Sequence, residues 1–268
     1  MKQFTSIIYA DAKRRNGWAC STPTSRGDVQ AIHSPKAHFR PIAQNHLIIP
    51  LLRVVRCLGI IKNLSRREAA EWMIYMKQFE SPKGEIATIE TTMGTMKAMF
   101  FPQEAPKCVE NWLTHAKEGY YNGLIFHRVI KDFMIQTGDP EGTGMGGESI
   151  WGHGIADEYS KELYHFRGAI CMAKSSMPNS IGSQFYIVQG VDVDAGLQGQ
   201  MKKGGWPEEA IAKYAEVGGY PHLDQRYTVI GQVFEGLDVV EAISKVPTAR
   251  GDRPKEDVKI LSITVEQV

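Results

Sequence analysis

Cysteine is scarce in this sequence. Four residues, Cys20, Cys57, Cys108 and Cys171, lie far apart among 268, with no C-x-x-C pair. That spacing excludes the usual zinc-ribbon and thioredoxin-type motifs and a disulfide-dense scaffold, and scattered thiols fit a reducing compartment. Long apolar runs are missing too. The longest, His46 to Ile61, is interrupted by Pro50, Arg53 and Arg56, so it is too short and too charged to span a bilayer. Met1–Ala10 has no apolar stretch of the secretory kind. No H-E-x-x-H, G-x-S-x-G or P-loop occurs, and the seven glycines of Gly138–Gly154 are not followed by Gly-Lys-Ser/Thr. Asp157 and Glu158 are adjacent, and neighbours on an extended chain point opposite ways, which argues against a glycosidase-type pair. Net charge is almost absent, with 31 Lys+Arg against 30 Asp+Glu, and 43% hydrophobic residues exclude disorder of the whole chain.

The near-neutral total hides an asymmetry. Residues 1–72 carry 12 Lys+Arg against 4 Asp+Glu, a balance of +8, and residues 73–268 carry 19 against 26, a balance of −7. Pro23, Pro35, Pro41 and Pro50 break periodicity in the first part, and only Ser65–Lys77 reads as a helix, with Ser65 and Glu68 as a capping box. Residues 1–75 are therefore expected to be a dispensable basic extension, disordered or not native, with Met73 or Met76 a sufficient start. A transit segment and a nucleic-acid tail are the competing readings, and neither an N-terminal Arg helix nor clustered, aromatic-interleaved basic residues supports them. The tetrapeptide Met1–Phe4 recurs as Met76–Phe79.

From Glu85 the texture changes. Alternation over Ile86–Thr92 and Thr95–Phe101 around Met93-Gly94 predicts a hairpin. Ala105–Glu118 predicts a helix with Val109, Trp112, Leu113 and Ala116 on one face, and Gly236–Val246 another. Short strands are expected over 124–130, 133–137, 166–173, 184–189, 227–234 and 258–265. This pattern of seven or eight short strands is mainly β, a closed antiparallel barrel with two main α-helices at its ends. Residues 190–221 read as a helical insertion, with one helix over Glu208–Val217.

The informative stretch is Phe126-His127-Arg128-Val129-Ile130-Lys131-Asp132-Phe133-Met134-Ile135-Gln136-Thr137-Gly138-Asp139. Arg128 falls in a strand otherwise suited to burial. Spacing alone favours a buried Arg–acid pair with core aromatics over a functional arginine. The stretch resembles the cyclophilin family of peptidyl-prolyl cis-trans isomerases. So do Gly144–Gly152, Met172-Ala173-Lys174, Pro178–Ile187 and His222–Gly231, in order, over about residues 85–268.

The resemblance implies Arg128 as the catalytic arginine with Gln136 beside it. It implies Phe133, Met134, Tyr186 and Leu223 as walls of a proline pocket, and Gly144, Ala173 and Gln184 as the groove for the residues before proline. Tyr186 stands where the family usually has Phe, Tyr227 where many members have His, and His222 where drug-sensitive members have Trp. Cyclosporin binding is therefore expected to be weak. Lys174 replaces a common Asn in a segment one residue longer. Alternation puts Gln184 and Tyr186 on one face and sends Phe185 to the core. The expected activity is X-Pro isomerisation without cofactor or metal, by a cytoplasmic monomer acting on proline-containing peptides and folding proteins, with no nucleic-acid or membrane partner. The alternative is a proline-peptide binding module that has lost catalysis. The insertion joins segments that carry Tyr186 and Leu223 and is expected at the pocket rim.

Overall fold

The computed structural model describes residues 77–268. The expected helix over Ser65–Lys77, all but its last residue, and the other expectations for residues 1–75 lie outside them. The chain runs through β1 (Glu85–Thr91), β2 (Gly94–Phe100), α1 (Pro106–Lys117), β3 (Arg128–Ile130), β4 (Met134–Thr137), β5 (Ala169–Met172) and β6 (Phe185–Val188). It continues through α2 (Ala195–Gly204), α3 (Glu208–Val217), β7 (Val229–Glu235), α4 (Leu237–Ser244) and β8 (Ile260–Gln267).

Alternation builds the first hairpin. Ala87 and Ile89 point into the core, and the Thr91 hydroxyl ties the turn by donating to the Gly94 carbonyl and accepting the Met93 N–H. Helix α1 begins at Pro106, where a missing N–H costs nothing. Its orphan donors at Lys107 and Cys108 are taken by the Glu158 carboxylate at 3.2 and 2.9 Å. Asp157 turns away to the Lys174 ammonium at 2.8 Å, so the two adjacent acids do serve separate sites.

All strand pairings are antiparallel, in one sheet of order β3-β4-β6-β5-β7-β2-β1-β8. The expected closed barrel is corrected here: β3 and β8 are edges with no ladder between them. The gap is crossed by the isolated bridge Ile125–Lys259 and by bonds from the Phe126 N–H to the Val258 carbonyl and from the Val129 N–H to the Asp252 carbonyl. The reason is local. β3 is three residues long, and the segment facing it folds into its own turns, with Ala249 donating to Arg253 and Lys255 to Pro247. Pro254 in that segment has no N–H to give a ladder. The two expected capping helices are present, and only the helix count of the insertion is corrected. α1 and α4 pack on the sheet, and the insertion holds two helices, not one. α2 is capped by Asp194, whose carboxylate accepts the Leu197 N–H at 2.8 Å, and is stopped by left-handed Gly205.

The central strands bury both faces. On β4, β5 and β6 successive residues alternate between two apolar clusters. Ile135, Ile170, Met172, Phe185 and Ile187 join the main core with Trp112, Phe126 and Val240. Met134, Ala169, Cys171, Tyr186 and Val188 join a second cluster on the opposite face. Phe185 is thus core and Tyr186 is not, as the alternation predicts. Cys108 and Cys171 are both buried thiols. Among the described residues no helix is long and apolar enough to cross a membrane.

Candidate functional site

Register places the sequence-derived residues in a row. Arg128 on β3 lies directly opposite Gln136 on β4, Gln136 opposite Tyr186 on β6, and Tyr186 opposite Cys171 on β5. Cross-strand partners share a face, and neighbouring strands lie about 4.8 Å apart. The Arg128 side chain therefore stands two strand steps from the Tyr186 ring, on the side away from the main core. Met134, two residues from Gln136, shares that face and belongs to the second cluster with Tyr186 and Val229. Phe133, Ala173, Leu223 and Tyr227 pack against the same cluster and keep part of their surface open.

Arg128 is not the buried ion pair that spacing alone allows. Its side chain is 43% exposed, and its Nε lies 3.5 Å from an Asp252 carboxylate oxygen that is itself half exposed. A fixed cation thus borders an apolar surface. The neighbouring polar groups are tethered: the Gln136 amide donates to the Gln184 Oε1 at 2.9 Å, and the Gln184 amide donates to the Gly146 carbonyl at 2.8 Å. Gln184 also fixes Ala173, whose N–H donates to its carbonyl. Tyr186 is buried and meets Tyr227 edge-on at 5.9 Å, and Phe133 packs on Tyr220 at 4.6 Å. The Lys174 ammonium sits 5.3 Å above the Tyr227 ring, held by Asp157 and the Tyr159 hydroxyl.

Gly144 arrives on a loop organised by Asp139. This carboxylate, 1% exposed, accepts main-chain N–H groups of Glu141, Thr143 and Gly144 at 2.9, 2.9 and 2.6 Å, and of Gly146 at 3.4 Å. Burial works to raise its pKa, but these donors together hold it below the ordinary carboxylate value. Such a depressed group stabilises the fold above its unfolded value of about 3.9, and that contribution is lost as pH falls through the folded value. Asp139→Asn is expected to cost about 1.5–3 kcal/mol near neutrality, since a charged acceptor of several N–H groups is lost. It should also flatten the loss of stability below about pH 4. Thermal melts of both proteins across that range check this, and equal curves would count against it.

His222 is placed differently from the rest. It is exposed on a 3-10 turn, Pro221–Leu223, edge-on to Tyr220 at 5.9 Å, and is not in the second cluster. The insertion reaches this region through Tyr220. Its two ends are stitched together by Val191 and Gly219, and its helices have a small core of their own around Phe166, Met201 and Tyr214. Sequence reasoning missed a polar set behind Tyr186, made of the buried His165, Tyr214 and Asp224 with the partly buried Trp206. Only the proximity of Asp224 to Leu223 hinted at it.

Comparison with known proteins covers the same stretch. The sequence profile described as cyclophilin type peptidyl-prolyl cis-trans isomerase/CLD matches residues 86–265. A Streptococcus pyogenes protein named as a bifunctional phosphatase/peptidyl-prolyl cis-trans isomerase is 50% identical over 188 residues, which are 69% of this chain and 40% of that protein. The chain thus spans less than half of that relative. A Staphylococcus saprophyticus protein named for the isomerase alone is 50% identical over 177 residues, 66% of this chain and 89% of its own length. One from Staphylococcus aureus (strain USA300) is 49% identical over 189 residues, 70% and 95% respectively. The crystal structure of a Cryptosporidium parvum cyclophilin type peptidyl-prolyl cis-trans isomerase in the presence of the dipeptide Ala-Pro aligns with a TM-score of 0.55. It is 31% identical and covers 68% of this chain and 99% of that one. The profile match spans the stretch that carries the row across the sheet, and the chain belongs to the cyclophilin-type peptidyl-prolyl cis-trans isomerase family.

Proposed function

We propose that the protein accelerates rotation about X-Pro bonds in peptides and folding chains, with Arg128 stabilising the twisted amide. An X-Pro bond isomerises over tens to hundreds of seconds because amide resonance opposes rotation. When the bond twists, the prolyl nitrogen becomes pyramidal and gains a lone pair. A fixed donor aimed there binds the twisted state better than the planar one. The observation that supports the reading is the cross-strand row, which sets the Arg128 guanidinium beside an apolar cluster whose outer side chains Phe133, Leu223 and Tyr227 stay partly open. In this reading Phe133, Met134, Tyr186, Leu223 and Tyr227 hold the ring, while Gly144, Ala173 and Gln184 line the path of the preceding residues. Gln136 orients the site through its bond to Gln184. The chemistry asks for no nucleophile, general base or cofactor.

A protease-coupled isomerisation assay on a proline peptide tests this against a binding module without catalysis. A rate equal to the uncatalysed one at micromolar protein would reject the reading. The same reading makes the protein a cytoplasmic monomer working on proline-containing chains, not on nucleic acid or membranes, with the 190–221 insertion bordering the pocket through Tyr220. It also carries a drug prediction. With the small, exposed His222 in place of a large indole, cyclosporin should bind weakly, and His222→Trp should tighten it about tenfold, the worth of one well-packed aromatic contact. Titration calorimetry on both proteins checks this, and tight binding by the wild type would refute it.

A further inference from the structure

We propose that Asp224 and His165 form a positioning pair that fixes Tyr186, and that the 190–221 insertion fastens this pair through Trp206 and Tyr214. The inference rests on the isomerase reading of the face that Tyr186 occupies.

The Asp224 side chain is 4% exposed and follows Leu223 directly in the chain. A carboxylate removed from water to that degree needs donors on every side. Its Oδ1 accepts the His165 N–H at 2.8 Å, the His165 Nδ1–H at 2.9 Å and the Tyr214 hydroxyl at 2.9 Å. Its Oδ2 accepts the Trp206 Nε1–H at 2.8 Å and shares the Tyr214 hydroxyl. Trp206 and Tyr214 both belong to the insertion, so half of the donor set comes from that segment.

His165 is 1% exposed on its side chain. With Nδ1–H committed to the Asp224 carboxylate, the other ring nitrogen, Nε2, is left to face the pocket wall. The Tyr186 hydroxyl lies 3.3 Å from it, with the two ring planes 17° apart. Burial pushes the phenols of Tyr186 and Tyr214 well above their ordinary pKa, so both keep the proton they donate. The main chain of His165 is pinned as well. Its carbonyl accepts the Tyr220 N–H at 2.8 Å, and a Cβ at Gly219 would lie 2.4 Å from that oxygen, so only glycine allows this approach. A fully satisfied buried network has one low-energy arrangement. This one ends on two groups of the apolar cluster, the Tyr186 ring and the Leu223 turn. Asp224, His165, Trp206 and Tyr214 are positioning residues, since they act on the pocket through those two groups. The insertion is thus a fastener of the pocket wall.

The test uses the full chain with Trp206→Phe, Tyr214→Phe and the double variant, which keep an aromatic ring at each position and remove the insertion's two side-chain donors. For a proline peptide we expect KM to rise about three- to tenfold in the double variant with kcat changed less than about twofold, because the pocket wall loosens while Arg128 is untouched. Met201→Leu, a change in the insertion's own core away from the carboxylate, is the control and should leave KM alone. A second arm needs no turnover. In NMR the His165 Nδ1 proton should be downfield and slow to exchange, and the Tyr186 ring signals should shift and broaden in the double variant. Wild-type KM together with unchanged Tyr186 signals in the double variant would overturn the inference. Absence of isomerase activity in the wild type, or full activity of Arg128→Ala, would instead overturn the reading on which it rests, and the NMR arm would still decide the network.

Discussion

Arg128→Ala is expected to lower kcat/KM for a proline peptide by at least about tenfold while leaving the thermal midpoint within about 2 °C of wild type. The two halves of this expectation have separate causes. Stability should hardly move because the side chain is 43% exposed and its ion pair with Asp252 is long, at 3.5 Å, and solvated. Exposed pairs of this kind contribute about 0–1 kcal/mol. Activity should move because the guanidinium is the one fixed cation on the row that also carries Gln136 and Tyr186, and in the proposed mechanism its bond to the pyramidal prolyl nitrogen forms only as the amide twists. A charge-assisted hydrogen bond is worth roughly 1.5–3 kcal/mol, which is one to two decades in rate. Since the planar substrate does not make this bond, the loss should appear in kcat more than in KM. Arg128→Lys should recover only part of it, because an ammonium on a flexible stem lacks the planar fork. Gln136→Ala should do less, since it removes the tether to Gln184 and not the charge. A near-wild-type rate for Arg128→Ala would reject Arg128 as the group that stabilises the twisted amide.

The parts of this molecule that were legible in sequence are those governed by period. Alternation alone separated Phe185 from Tyr186, and these do fall into different apolar clusters. It separated Asp157 from Glu158, and one holds Lys174 while the other caps α1. The three-four spacing of Val109, Trp112, Leu113 and Ala116 marked the buried face of α1. What escaped has no period. α2 contains Gly196, Gly199 and Gly204, which dilute any apolar stripe, so its existence depends on the Asp194 cap and the left-handed Gly205. The gap between β3 and β8 follows from turn-forming residues around Pro254, which an alternating pattern on either side does not reveal. The Asp224 set joins residues 10 to 59 positions apart, and a buried carboxylate leaves no trace in composition. The candidate site was legible for a different reason: its residues come from the resemblance to the cyclophilin family, since spacing alone is met by a buried Arg–acid pair, and of them only Arg128, Met134, Gln136 and Tyr186 stand on strands.

The segment just before the family match escaped for the same reason, and it carries the second large effect. The resemblance begins near Glu85, and the family profile at residue 86. Yet Lys77–Phe79 forms a 3-10 turn in which Gln78 is 2% exposed. The Gln78 amide donates to the Tyr164 carbonyl and the Gln232 Oε1, both at 3.0 Å, and its oxygen accepts the Tyr164 N–H at 2.8 Å. Gln232 in turn donates to the Arg167 and Val233 carbonyls, so the plug is part of a buried chain reaching β7. Phe79 meets Phe166 edge-on at 5.4 Å, and the Lys77 ammonium pairs with Glu104 and Glu162. Removing residues 77–84 leaves the Tyr164 main chain and the Gln232 amide without these partners. At about 1 kcal/mol for each of three hydrogen bonds the expected loss is about 3 kcal/mol. For a domain of this size that lowers the thermal midpoint by about 6–12 °C. The comparison is between the full chain, residues 76–268 and residues 85–268. We expect residues 76–268 to match the full chain in midpoint and isomerase rate, and residues 85–268 to fall by that amount. Gln78→Ala in the full chain should reproduce most of the loss, because it strips the buried amide and leaves its partners unsatisfied. Equal midpoints for residues 76–268 and 85–268 would show that the plug is an ornament of the surface. A midpoint for residues 76–268 more than about 4 °C below the full chain would show that residues 1–75 are not dispensable.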